Sequence, residues 1–432
     1  MKPVKSWRRL DNAAKIFPPT SSKRDSKVFR FTCELYETVD PQALQRALDK
    51  TLTKFPFYRS ILKKGFFWYY FEDTTLQPVV TEESEPPCAP LYDADRPGLL
   101  FRVCYYKKRI NLEVFHALAD GMGAVNFLRT LVYFYLLEKH PDCVEEEIRL
   151  NDCDPSPEQV CQDAFRKYYD KSGKVNEKKE ARAYCPKGAY LPENRVGIFE
   201  GILSVKSLLE IAHHYDASIT ELLTSVLLCS IQEGMSVRDQ ALPVVVTIPV
   251  DLRHYFQSRT ARNFFALIHI RYNFTRSGNS FPDVVAGVKK SFDEQLVPRN
   301  MQNIINRYSA LENNPMIRII PLGIKIYCLK LAGRLARRDE TADISNMGKI
   351  AMPVKMSSYI RLFNVIFSNR HPQICLCSFG DTLSVSYSSQ LESTDIPRCF
   401  FQRLADMGID IQISSNLEQK KEEEDDALLQ EL

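Results

Sequence analysis

Hydrophobic positions along the chain alternate between two periods, and the switches between them mark out the elements. Residues 29–35 alternate in the manner of a strand, and Asp40-Pro41 then supplies an N-cap and a first-turn proline for a helix with Leu44, Ala47, Leu48 and Leu52 on one face. Phe55-Pro56 ends that helix, and aromatic residues 66–71 read as a further strand before a proline-rich connection through Pro86, Pro87 and Pro90. Residues 99–106 and 110–115 predict a hairpin across the basic turn Lys107-Lys108-Arg109. Beyond it, Phe127, Leu128, Leu131, Phe134 and Tyr135 fall at helical spacing.

From 141 to 195 the chain turns polar, as a connection between two halves would. The second half opens with a strand and a helix over 208–215. Ser218 and Glu221 then form a capping-box pattern ahead of a strongly apolar helix through Cys229. Strands are expected over 244–250 and 264–274, a helix from Pro282 to about Gln295, and two arms, 374–379 and 382–387, around Gly380-Asp381. A last helix from Ile396 stops at Gly408. Both halves mix strands and helices with no short sequence repeat, so the expected class is α/β with mixed sheets. The expected units are 1–190 and 191–418, followed by an acidic, solvated tail over 419–432.

Composition narrows the function. The 432 residues include 44% hydrophobic and 26% charged side chains, the balance of a globular protein, and the length suits about two or three units of roughly 100–200 residues. A net charge of +3 gives no case for nucleic acid. The N-terminus lacks the apolar core of a secretory signal and no apolar run reaches spanning length, so a cytoplasmic location is expected. The 12 cysteines are scattered, many within apolar runs, which favours buried reduced thiols over bridges. Cys375 and Cys377 share one strand face and are read as packing residues, and no metal site is expected.

One stretch carries chemistry. In residues 110–121, INLEVFHALADG, Ile110, Leu112, Val114 and His116 lie on one strand face, and the imidazole emerges where the strand gives way to a turn. The pattern His116-Ala117-Leu118-Ala119-Asp120-Gly121 resembles the HxxxDG motif of the chloramphenicol acetyltransferase-like acyltransferases, a superfamily that includes condensation domains, alcohol acyltransferases and wax ester synthases. Other stretches are similar in the same order: DNAAKIFP (11–18) to the opening of free-standing alcohol acetyltransferase-like members, LQRALDKTLTKFPFYRSIL to the early helix, ITELLTSVLLCSI to the helix near the start of the second half, IPVDLR to the central strand of that half, and Ser345-Asn346-Met347-Gly348 to the tunnel-wall segment. The chain departs from the condensation domains in carrying Phe115 where they have a second histidine, and it lacks the DFGWG segment of plant enzymes.

The resemblance implies two acetyltransferase-like subdomains in a V-shaped pseudo-dimer with a central tunnel. It also implies an acyltransferase that moves an acyl group from a thioester to a hydroxyl by direct attack. His116 would be the general base, a task that suits a neutral imidazole with an ordinary pKa near ~6.5. Asp120 would turn away to pair with Arg253 from the second half, Gly121 would permit a close turn, and Ser345 or Asn346 would face the tunnel as oxyanion donors. Asn263 resembles a position leading into the central crossover strand and is read as structural. No permanently bound cofactor is expected, and a coenzyme A thioester is the expected co-substrate. An alcohol or amine would be the acceptor, with an acyl carrier protein as an alternative donor. Amide-forming condensation and a catalytically silent binding protein remain alternatives.

Two further features are weighed against plainer readings. His213-His214 lies on an amphipathic helix with no carboxylate at ligand spacing, which favours ordinary surface positions. Residues 316–338 are apolar with Arg318, Lys325, Lys330, Arg334, Arg337 and Arg338 interspersed, and Pro321 interrupts them. The favoured reading is a packed helix with a basic outer face, while peripheral lipid contact and a phosphate contact stay open.

Overall fold

The structure is a computed structural model describing residues 7–143, 162–170, 182–193, 195–336, 338–368 and 371–417. The strands are β1 (Trp7–Arg9), β2 (Val28–Leu35), β3 (Ser60–Lys64), β4 (Tyr69–Asp73), β5 (Thr81–Glu82), β6 (Phe101–Tyr106), β7 (Arg109–Phe115), β8 (Gly197–Ser204), β9 (Val244–Asp251), β10 (Phe265–Tyr272), β11 (Ala342–Lys349), β12 (Ile360–Phe367), β13 (Gln373–Phe379), β14 (Thr382–Ser389) and β15 (Gln412–Ser415). The longer helices are α1 (Pro41–Lys54), α2 (Gly121–Lys139), α3 (Val205–His214), α4 (Ile219–Glu233), α5 (Phe281–Gln295), α6 (Pro298–Asn313), α7 (Leu322–Ala336) and α8 (Asp395–Asp406). The acidic tail expected over 419–432 lies outside the described residues, as does most of the polar connection after 143.

Strands β12-β2-β7-β6-β5 form one sheet, β10-β9-β11-β13-β14-β8-β15 a second, and β1-β4-β3 a small third. The first two sheets each have their own buried core. One is built on Phe31, Leu112, Phe127 and Leu131, the other on Leu227, Val246, Ile344 and Phe400. The result is the two-subdomain α/β fold with mixed sheets, in which β11 runs parallel to both β9 and β13 while the other pairs of the second sheet are antiparallel.

Local chemistry explains the element boundaries. The Asp40 carboxylate accepts from the backbone N–H groups of Gln42 and Ala43 and starts α1, with Pro41 in the first turn. Ser218 and Glu221 form the reciprocal capping box of α4. Gly380 joins β13 to β14 at φ +59°, and Gly408 follows α8 at φ +86°, both in the left-handed region that glycine enters at little cost.

Strand β12 is the element that joins the halves. It follows β11 in the chain, yet it pairs antiparallel with β2 at the edge of the first sheet, aligning Phe367 with Phe29 and Phe363 with Cys33. Its other face lies on the second sheet: the Cys377 thiol donates to the Phe363 carbonyl at 3.1 Å and the Ser388 hydroxyl to the Phe367 carbonyl at 2.9 Å. Cys377 and Cys375 are accordingly buried packing residues, in the core of the first sheet although β13 belongs to the second. The crossover strand is therefore β12, which corrects the expectation that Asn263 leads into it. Asn263 precedes β10, which among the described residues pairs with β9 alone and is an edge strand of the second sheet.

Candidate active site

His116 sits one residue past the end of β7 and is held there by its backbone, whose N–H donates to the Lys27 carbonyl at 2.8 Å. Its ring is boxed by aromatic side chains from both halves. Phe17 stacks on it at a centroid distance of 4.3 Å. Phe29 and Phe367, themselves stacked across the β2–β12 pair, present edges at 5.2 and 5.5 Å, and Phe265 at the start of β10 lies tilted at 5.6 Å. Removal of water penalises the imidazolium most, and the nearby Lys27 charge adds to the penalty. Together they outweigh the hydrogen bonds at the ring and push the His116 pKa down to about 4. The imidazole is therefore neutral at pH 7.

The tautomer follows from its neighbours. Nδ1 lies 3.0 Å from Oδ1 of Asn263, and the Asn263 amide nitrogen donates to Oδ2 of Asp11 at 3.3 Å. An ionised carboxylate only accepts, so the amide nitrogen must face Asp11 and the amide oxygen must face the imidazole. That assignment puts the ring proton on Nδ1 and leaves the lone pair on Nε2. Asp11 is itself completely buried. It accepts from the Ala14 N–H at 2.7 Å and lies 3.3 Å from Nε of Arg262. Burial raises its pKa to about 6, with Arg262 pulling the other way, so it is mainly ionised at neutral pH. Asp11 is the first residue of the DNAAKIFP stretch, and nothing in its sequence context marks it as a partner of a residue far along the chain. Asn263 likewise looked structural because its contact to His116 spans 147 residues.

Asp120 is hydrogen-bonded through its carboxylate to groups other than the imidazole. Its side chain accepts from the Gly123 N–H at 2.9 Å and caps α2, while Arg253 Nη2 donates to its two oxygens at 3.1 and 2.9 Å and the Phe264 N–H donates at 2.9 Å. Burial raises its pKa, and Arg253 and the N–H donors oppose that. For Arg253, burial works against the charge, but Asp120 and Asp251 outweigh it and the pKa is raised. We assign the ionised pair, because every group facing the Asp120 oxygens is a donor and a protonated acid would have no acceptor for its O–H. Arg253 also donates to the carbonyls of Thr260 and Arg262, so one guanidinium ties the HxxxDG turn to the loop that carries Asn263.

Gly121 is the first residue of α2, not part of a separate close turn, and its φ is not positive. What it provides is room: a Cβ there would stand 2.6 Å from the Met347 sulfur. The Ser-Asn-Met-Gly segment thus meets the motif through Met347, while its two polar residues are engaged elsewhere. Ser345 is buried and accepts from Gln373 Nε2 at 3.4 Å, and the exposed Asn346 donates to Thr220 Oγ1 at 2.9 Å and accepts from the Gly348 N–H at 2.8 Å. Neither is hydrogen-bonded to His116 among the described residues. A cavity of about 740 Å³ lies nearby, lined by Trp7, Leu10, Lys15, Trp68, Glu312 and Arg318 among others, but His116 does not line it.

Comparison with known proteins gives the fold. No family model matches the chain and no curated protein matches it in sequence. Solved structures do match over nearly its whole length. TRI101 from F. graminearum, complexed with coenzyme A and T-2 mycotoxin, has a TM-score of 0.62 at 12% identity, covering 94% of this chain and 99% of that one. TRI3 trichothecene 15-O-acetyltransferase from Fusarium sporotrichioides has a TM-score of 0.59 at 9% identity, covering 93% and 94%. The first condensation domain of the CDA synthetase has a TM-score of 0.58 at 16% identity, covering 94% and 97%. The fold is that of the chloramphenicol acetyltransferase-like acyltransferases and condensation domains.

Proposed function

We propose that the protein is an acyltransferase that moves an acyl group from a coenzyme A thioester to a hydroxyl acceptor, with His116 as general base. The observation that carries this reading is the Asn263 contact, which commits the ring proton to Nδ1 and leaves Nε2 as the lone pair of a neutral imidazole. In the proposed step Nε2 takes the acceptor's O–H proton as the oxygen attacks the thioester carbonyl. The tetrahedral adduct then collapses, the carbon–sulfur bond breaks, and the thiolate recovers the proton from the imidazolium. No acyl-enzyme is required. The coenzyme A donor is supported by the ligands named for TRI101, and the hydroxyl acceptor by the 15-O-acetyltransferase.

Four residues are proposed in supporting roles. Asp120, with Arg253, holds the motif loop, and Ser345 and Asn346 are the candidates for an oxyanion donor, the Asn346 amide having a second N–H beyond the one it donates to Thr220. The test is thiol release from acetyl-CoA in the presence of a panel of alcohols and amines. Wild type should release thiol with at least one alcohol, and His116→Ala should lose roughly 10²–10⁴ in kcat. Equal rates from the two proteins would remove His116 from the chemistry, and turnover with amines alone would move the acceptor to that class.

A further inference from the structure

Helix α7 turns basic residues outward, as expected, with Lys330 and Arg334 exposed, and beside them the structure also exposes an apolar stripe. Leu322 and Lys325 are buried against the protein, whereas Ile324, Tyr327, Leu331 and Leu335 remain 56%, 71%, 48% and 52% exposed. Their spacing of three, four and four residues puts them on a single face, opposite the packed one. A helix that is apolar on both sides is ordinarily enclosed on both sides, and this one is not. The short helical turn before it, Pro315–Arg318, adds Met316 and, just beyond, Ile319, exposed at 71% and 67%.

Two pins join the same surface to the tip of the small sheet. The Leu322 N–H donates to the Phe66 carbonyl at 2.9 Å, and Lys325 Nζ donates to the Phe67 carbonyl at 3.1 Å while lying 3.5 Å above the Trp68 ring. These bonds fix the exposed rings of Phe66 and Phe67 beside the helix. Lys325 is thereby turned inward, and the charges left outward are Lys330 and Arg334 on α7, Arg318 before it, and Arg338 and Asp339 after it, four cations to one carboxylate. No acidic residue occurs between Asn313 and Arg338.

We infer that this face docks on the surface of an anionic phospholipid bilayer. The apolar stripe would enter the headgroup–acyl boundary, and the flanking cations would meet lipid phosphates and carboxylates, the arrangement of an interfacial helix. A protein partner would need acidic groups set to the same spacing, whereas a membrane supplies diffuse negative charge over an apolar layer, which is what a stripe with an excess of cations around it complements. Among the described residues no helix is long and apolar enough to cross a membrane, and α7 is attached to the protein along its other face, so contact is in the plane.

The test is flotation of the full chain with vesicles of phosphatidylcholine and phosphatidylserine mixed at roughly two to one, against phosphatidylcholine alone. The chain should float with the anionic vesicles and release at high salt. Tyr327→Asp with Leu331→Asp should lower binding at least roughly tenfold, and Lys330→Ser with Arg334→Ser should reduce it to the level on neutral vesicles. These positions are solvent-exposed, so unchanged melting of each variant separates lost docking from lost fold. Failure to float with anionic vesicles, or flotation undiminished in the Asp pair, would overturn the inference. So would a lipid-free dimer that the Asp pair dissolves, in a chain that does not bind vesicles, because the occupant would then be a second copy.

Discussion

At the scale of single residues, the site is governed by how far aromatic rings shield one partly buried imidazole from water. A base with its pKa pushed down to about 4 is a weak base, but it is never lost to protonation in the physiological range. We therefore expect kcat/KM to stay flat between about pH 6 and 8, and the ring resonances of His116 to titrate near 4 by NMR, not near the ordinary ~6.5. Stability follows the same sign. Between those values the unfolded chain binds the extra proton, so the His116 contribution is intact above the unfolded pKa and is lost as pH falls through the folded one. His116→Gln should accordingly gain stability relative to wild type at pH ~4.5 compared with pH ~7, read from urea midpoints, and an identical difference at both would contradict the depressed pKa. Asp11, raised to about 6, runs oppositely: its contribution is present at low pH and fades as pH rises through 6. Asn263→Ala removes the group that fixes the tautomer and should cost about tenfold in kcat with little change in KM. The place of His116 at a strand end, with an Asp-Gly close behind, was legible in the sequence because the motif lies within six residues. Asn263 and Asp11 were not, because hydrogen bonds across 147 and 252 residues leave no local pattern.

At the scale of elements, the start of α2 and the loop before β10 are fixed together by one buried carboxylate. Removing either member of the Asp120–Arg253 pair leaves an uncompensated charge and should cost about 3–5 kcal/mol, and the double variant should cost less than the sum. Thermal or urea unfolding of Asp120→Ala, Arg253→Met and the pair would measure this, and a fully stable Asp120→Ala would break the assignment. Gly123→Ala is a sharper probe, because its Cβ would fall 2.1 Å from the Ala261 carbonyl oxygen. It should destabilise by about 1–3 kcal/mol and shift the loop that carries Asn263, lowering activity beyond its effect on folding. Capped and patterned elements could be read from the chain: α1 from Asp40-Pro41, α4 from Ser218 and Glu221, β6 and β7 from alternation around a basic turn. Strand β12 was not assigned, because it is covered on both faces and its run IRLFNVIF lacks the alternation of a half-exposed strand. Helix α6 was also unassigned. Its sequence PRNMQNIINRYSALEN is rich in asparagine, a poor helix former, and tertiary packing of Met301 and Ile305 overrides that preference.

At the scale of the whole molecule, the two cores are separate but the sheets are not. Because β12 completes the edge of the first sheet, residues 1–190 expressed alone should aggregate or remain partly unfolded. Supplying 191–418 in the same cell should restore a soluble complex with activity, measured by co-purification and thiol release. A stable, monomeric 1–190 fragment would show that β2 tolerates a bare edge. The division into two mixed halves could be drawn from element order, since both halves alternate strands and helices around a polar connection. The exchange of one strand between them could not, because pairing partners are set by the packed surface and not by neighbours in sequence.

That exchanged strand also sets an order of events during synthesis. Phe265 and Phe367, two walls of the ring around His116, come from the second half, and the second partner of β2, beyond β7, is not made until residues 360–367 have left the ribosome. Until then a nascent chain carries a finished HxxxDG strand beside an uncovered, apolar sheet edge, the surface that chaperones bind and that invites neighbouring chains to pair. Yield of active protein should therefore respond to chaperone supply during translation more than to the stability of the completed fold.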